Sequence, residues 1–179
     1  KRIFSAAADA THFVSCRGLI ELADCRFESQ MDDPCNIHGI YLKIEIISEA
    51  NKLTVRLMHE SQAGVDALDV GDRVRYVNRK TMLPIGEAVV QSVNRIDAEC
   101  IEIVLDKLPE CIQVGDCIEN LEWIPDVYIH GCVARRNRAR GFLLTSAGKV
   151  RIEENTMSTA GSAIKISGDA NQWYESGQV

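Results

Sequence analysis

Apolar and polar residues alternate in short runs along most of this chain. Gly18-Leu19-Ile20-Glu21-Leu22, Lys43-Ile44-Glu45-Ile46, Lys149-Val150-Arg151-Ile152 and Ala163-Ile164-Lys165-Ile166 all show period two, and helical periodicity is scarce. A strand turns successive side chains to opposite faces, so the pattern predicts half-buried strands. Two stretches resemble each other. Gly18 to Phe27, closing with Asn36-Ile37-His38-Gly39, aligns with Gly148 to Met157, closing with Ala163 to Gly168. Ile20 falls on Val150, Leu22 on Ile152, Cys25 on Asn155 and Phe27 on Met157. A third, looser copy runs from Val127 to Leu144.

A strand-only repeat of this length is what one coil of a parallel β-helix needs, and several coils must stack to bury one apolar face. Cys25, Cys132 and Asn155 sit where the bends of such coils fall. Between residues 43 and 124 the rhythm changes to strands separated by Gly-Asp turns, Gly71-Asp72 and Gly115-Asp116, the spacing of a small antiparallel barrel. The expected fold is therefore all-β: right-handed parallel β-helix coils over 1–42 and 125–179, interrupted by an inserted antiparallel β-barrel over 43–124. Right-handedness follows from the crossover rule for parallel strands. A β-sandwich with coincidental internal similarity is the competing fold.

Composition narrows the class. Charged residues are 26% and hydrophobic residues 46%, the balance of a globular domain. The net charge of -6 disfavours nucleic acid as a partner, with Arg135 to Arg140 as the one basic exception. No apolar stretch approaches the roughly 18 residues of a membrane span. The opening Lys1-Arg2-Ile3-Phe4-Ser5 is too short for a signal peptide. It also reads as mid-fold, so the chain is expected to be a piece of a longer protein. The seven cysteines include no C-x-x-C pair, which argues against zinc; most lie in apolar runs and read as small core residues.

The chemistry concentrates in Gln30-Met31-Asp32-Asp33-Pro34-Cys35-Asn36-Ile37-His38-Gly39. Adjacent aspartates at a bend project close together, and Asp9 precedes Asp33 by close to one coil. Coils stack at about 4.8 Å, so carboxylates offset along neighbouring coils reach about 6.5–9.5 Å, the gap in which an inverting glycosidase holds its water. Clustered carboxylates also push one pKa up, as a general acid needs. The plain alternative for Asp32-Asp33-Pro34 is a solvated turn, and for His38 a structural histidine. Asp169-Ala170-Asn171-Gln172-Trp173-Tyr174-Glu175 mixes polar groups with two aromatics, the make-up of a sugar platform or of a cap on the coil stack. Arg138 and Arg140 offer a fork for sugar hydroxyls or a carboxylate, or else form a solvated basic turn.

Taken together, Ala8 to Phe13, Asp32 to Gly39, Asn137 to Leu144 and Ser167 to Gly177 resemble glycoside hydrolase family 110, along nearly the whole chain. The resemblance implies inverting, exo-acting removal of terminal α-1,3-linked galactose from blood-group-B-like or related glycans, with no metal and no cofactor. It implies catalytic roles for Asp32 and Asp33, which position and activate water, and for Asp9, which donates the proton. Substrate binding is expected from Asn36, His38, Arg138, Arg140, Asp169, Asn171, Trp173 and Glu175. The expected partner is a galactose-terminated oligosaccharide or glycoconjugate, and a homodimer is compatible with the reading. A bacterial periplasmic, cell-surface or secreted location is implied by the resemblance alone. The competing functions are a non-catalytic carbohydrate-binding module and a structural β-helix.

Overall fold

The computed structural model describes residues 3–145 and 148–177. Lys1 and Arg2, which open the stretch weighed as a leader, lie outside the described residues. The chain divides into two compact units. The first runs to His38 and takes up Ile124–Gly168 and the chain from Gly177; the second is Gly39–Trp123 with Asp169–Ser176.

In the first unit the chain forms β1 (His12–Val14), β2 (Leu19–Ala23), β3 (Arg26–Glu28) and the start of β4 (Cys35–Ile40). The second unit then supplies β5 (Leu42–Ser48), β6 (Lys52–Arg56), β7 (Arg73–Val77), β8 (Pro84–Arg95), β9 (Cys100–Leu105) and β10 (Cys117–Asn120). The first unit resumes with β11 (Asp126–His130), β12 (Val133–Arg135), β13 (Phe142–Leu144), β14 (Val150–Glu153), β15 (Thr156–Ser158) and β16 (Ile164–Lys165). A last strand, β17 (Glu175–Ser176), returns to the second unit.

The first unit holds three parallel sheets, ordered β14-β11-β2, β15-β12-β3 and β1-β4-β13-β16. Residues matched in the repeat stand in one column of a sheet. Val127 pairs with both Ile20 and Val150, Ile129 with Leu22 and Ile152, and Ala134 with Phe27 and Met157. From these columns Ile20, Leu22, Phe27, Val127, Ile129 and Ala134, with Cys35, Ile37, Cys132, Phe142 and Leu144, are the buried core of the unit; Ile152 and Met157 pack against it partly buried, and Val150 is exposed. Each fully buried large aliphatic or aromatic side chain stabilises the stack by about 1.5–3 kcal/mol.

The bends repeat as well. Asp24, Gly131 and Glu154 all take left-handed backbone angles (φ 53°, 64° and 56°) just ahead of Cys25, Cys132 and Asn155. Asn155 ties its bend to the preceding strand, donating from Nδ2 to the Ile129 carbonyl at 2.9 Å and accepting from the Cys132 N–H at 2.8 Å. Of the cysteines, Cys35, Cys117 and Cys132 are buried, whereas Cys111 is exposed.

The second unit is a closed antiparallel barrel, β10-β5-β6-β9-β8-β7. Its two Gly-Asp turns are built alike. Gly71 and Gly115 both sit at φ 95°, a conformation that favours glycine. Asp72 accepts the Asp69 N–H at 2.9 Å, and Asp116 accepts the Gln113 N–H at 3.0 Å. The strand β6 follows a turn in which Ala50 and Asn51 are both left-handed (φ 57°), and it pairs with β5 and β9. Within this unit β17 pairs antiparallel with Gly39 and Ile40, and the Tyr41 N–H donates to the Tyr174 carbonyl at 2.9 Å. Residues 169–176, expected among the second set of coils, thus pack with the barrel strands.

Candidate active site

Three successive passes of the chain meet at the acidic cluster of the first unit. Asp9 precedes β1, Asp32 and Asp33 precede β4, and Arg140 precedes β13, strands that are neighbours in one sheet. Pro34 disfavours the helical region for Asp33 and keeps the entry to β4 extended. The first two passes are clamped reciprocally. The Asp33 N–H donates to Asp9 Oδ1 at 2.9 Å, and the Ala10 N–H donates to the Asp33 carbonyl at 2.9 Å. Thr11 then donates from Oγ1 to the Pro34 carbonyl at 2.9 Å.

The third pass closes on Asp33. Its Oδ1 accepts from the Arg140 N–H at 2.9 Å and from Arg140 Nε at 3.1 Å, and its Oδ2 lies 2.8 Å from the same guanidinium. The Asp33 side chain is 1% exposed, while that of Asp32 is 40% exposed and 3.7 Å from Arg140. Asn137, buried and absent from the expected site, braces the turn: its Nδ2 donates to the carbonyls of Asp32, at 3.3 Å, and Arg140. Arg138 Nε donates to the Met31 carbonyl at 3.2 Å. The basic turn is therefore bonded to the acidic bend.

The electrostatics separate the three acids. One oxygen each of Asp9, Asp32 and Asp33 lies within 4.8 Å of the others, closer than the 6.5–9.5 Å expected for an inverting pair. Burial, followed by the charges of Asp32 and Asp33, holds the Asp9 carboxyl above the usual range, against the lowering effect of the Asp33 N–H and His12. A cluster this tight would draw a cation, and Arg140 already supplies that charge.

His12 was not anticipated, although it stands three residues after Asp9. Its Nδ1 is 3.6 Å from Asp9 Oδ2, and its Nε2 lies 2.7 Å from His38 Nε2. One ring must donate and the other accept, so the pair holds a single proton between them. His38 and Asn36 are both buried, the latter pairing with His12 across β1 and β4.

The remaining expected residues belong to the second unit. The Asp169 carboxylate turns into its own loop, accepting N–H bonds from Asn171 at 3.2 Å, Gln172 at 2.7 Å, Tyr174 at 3.3 Å and also Trp173. Burial raises its pKa, but these four donors outweigh burial and hold it below the usual range. Trp173 is 50% exposed, with its ring centroid 5.1 Å from that of His59. Glu175 lies in β17 opposite Ile40. Asn171 accepts from Arg79 Nη2 at 3.1 Å.

A family model described as GLAA-B beta-barrel domain II matches residues 52–118. The chain is 39% identical over 180 residues to alpha-1,3-galactosidase A of Shewanella woodyi, covering 99% of this chain and 29% of that protein. It is 37% identical over 178 residues to alpha-1,3-galactosidase B of Akkermansia muciniphila, covering 98% and 22% respectively. Alpha-1,3-galactosidase A of Bacteroides fragilis is 39% identical over 181 residues, 99% of this chain and 30% of that protein. The chain thus spans less than a third of the length of these curated relatives.

Proposed function

We propose that this chain, which belongs to the α-1,3-galactosidases of glycoside hydrolase family 110, carries the acid–base centre of an enzyme that removes terminal α-1,3-linked galactose from glycans. The observation that carries the reading is the convergence of Asp9, Asp32 and Asp33, with Asp9 held above the usual carboxylate range by burial. Glycoside hydrolysis needs one carboxyl that stays protonated to donate to the leaving oxygen and one ionised carboxylate to activate water. Asp9 suits the first role. Asp32, the more exposed acid, suits the second. Asp33 is engaged by Arg140 and acts as a positioning residue, fixing the guanidinium beside the reacting sugar. The three parallel sheets are read as coils of a right-handed parallel β-helix, with the barrel as an insertion. A blood-group-B-like glycan, attacked at its end, and a location outside the bacterial cytoplasm complete the proposal.

Inversion requires Asp32 to swing away from Asp9 and open room for water. The close approach of the three acids favours a second reading, a retaining reaction, in which carboxyl groups stand only about 5–5.5 Å apart. Proton NMR of the first galactose released from an α-1,3-galactosyl oligosaccharide decides between them. β-Galactose first is the expected result; α-galactose first means retention. Absence of galactose release, with the sugar still bound, would leave a binding module in place of an enzyme.

A further inference from the structure

The barrel unit carries a cleft of about 730 Å³ between three loops, residues 78–82, 113–116 and 169–171. Its hydrogen-bonding groups are sorted. The acceptors are largely used within the loops. Asn78 Oδ1 takes the N–H groups of Lys80 and Thr81, both at 3.1 Å, and Asn171 Oδ1 takes Arg79 Nη2 at 3.1 Å. Asp116 takes the N–H groups of Gln113 at 3.0 Å and Arg79 at 3.2 Å, and the Asp169 carboxylate is filled by its own loop. Arg79 spends Nε on the Ala170 carbonyl at 3.3 Å, a neutral acceptor.

What remains is mostly donors, with the exposed Gln113 amide presenting both an oxygen and an NH2 group. Among the described residues, neither the Arg79 guanidinium nor Lys80 Nζ meets a carboxylate, and the amide NH2 groups of Asn78 and Asn171 have no acceptor. Donors open to a cleft favour a group that only accepts, and cations favour one that is charged. Both acids on the lining keep their oxygens turned to backbone N–H groups, which offsets their repulsion of an anion.

We propose that this cleft binds an oxyanion carried on a sugar, a sulfate ester or a carboxylate, as a site separate in composition from the Asp9–Asp32–Asp33 centre. The choice of a saccharide as carrier rests on the glycan-directed reading above; the oxyanion rests on the donor inventory alone. Calorimetric titration of the chain with galactose 6-sulfate, galacturonic acid, inorganic sulfate and galactose tests it. No hydrolysis is read, so failure here and failure of the galactosidase reading are distinguishable. One of the two anionic sugars should bind roughly tenfold more tightly than galactose, the scale of one charge-assisted hydrogen bond, and the tighter one names the source. Lys80→Gln, at an exposed side chain with no bond among the described residues, should remove roughly that tenfold preference. Arg79→Gln should weaken binding further but also loosens the 170–171 loop, so Lys80→Gln decides. Equal binding of galactose, equal binding of inorganic sulfate, or no change in Lys80→Gln would overturn the proposal.

Discussion

Asp33 receives both the backbone N–H and the side chain of Arg140, a residue 107 positions later in the chain. One buried carboxylate thereby fixes a guanidinium and stitches one pass of the chain to another. Asp33→Asn removes the charge but keeps the shape. A fully buried ion pair broken on one side costs about 3–5 kcal/mol, and Arg140 is a third exposed, so solvent reduces the loss to about 2 kcal/mol. Urea unfolding measures it. Asp32→Asn, at the exposed neighbour, should change stability by less than about 0.5 kcal/mol and lower galactose release about 10²–10⁴-fold. If Asp32→Asn leaves galactose release unchanged, Asp32 does not activate water.

The pH dependence follows from Asp9. A general acid must be protonated, so the rate should fall as pH rises through the raised Asp9 value, above the usual carboxylate range. Asp32→Asn removes one charge that lifts Asp9 and should move this limb to lower pH, in whatever activity survives. His12→Gln removes a group that lowers Asp9 and should move it to higher pH. The same sign governs folding: Asp9 favours the folded state most below the ordinary carboxylate value and loses that contribution as pH rises through its raised value. Shifts in the same direction for the two variants would rule out this electrostatic account.

Gly141, next to Arg140, is a packing point. A Cβ built there would stand 1.9 Å from the Ala163 carbonyl oxygen, and backbone cannot turn aside as a side chain can. Gly141→Ala should destabilise the chain by roughly 1–3 kcal/mol, the scale of forced overpacking. Thermal unfolding reads it. A variant as stable as the parent would show that β13 and β16 separate freely.

Trp173 packs one half of its ring within the fold and leaves the other half open to a ligand. Half its surface is buried, with the His59 ring beside it, so Trp173→Ala should also lower the unfolding midpoint, and affinity is read where the variant is still folded. Galactose binding should weaken by roughly 1–3 kcal/mol if the ring is a sugar platform. Unchanged affinity in the folded variant removes Trp173 from the ligand site.

Much of the sheet arrangement is legible because period two and the sequence repeat both report side-chain direction. Ile20, Leu22 and Phe27 share columns with Val150, Ile152 and Met157 through the intervening strand. The acidic cluster was legible for a related reason, since Asp9 and Asp33 lie one repeat apart. Other features depend on contacts no local pattern encodes. The burial of Asp33 comes from Arg140, on the far side of the whole barrel segment in sequence. Asp169 reads as a ligand-binding acid until four backbone N–H groups close on it. His12 escapes notice because its partner, His38, arrives from the next pass.

The pairing of Lys43 with Cys117 at the ends of the barrel bears on the order of folding. Ile20 waits for Val127, its partner in the next pass, across roughly 110 residues of open chain. Once the barrel forms, its two ends are held side by side and the effective loop shrinks to roughly 30 residues, lowering the closure cost by about 1 kcal/mol. On a ribosome the barrel strands emerge before β11 does. The segment that interrupts the parallel sheets in sequence would then act as a clasp, bringing their strands within reach before the last of them is synthesised.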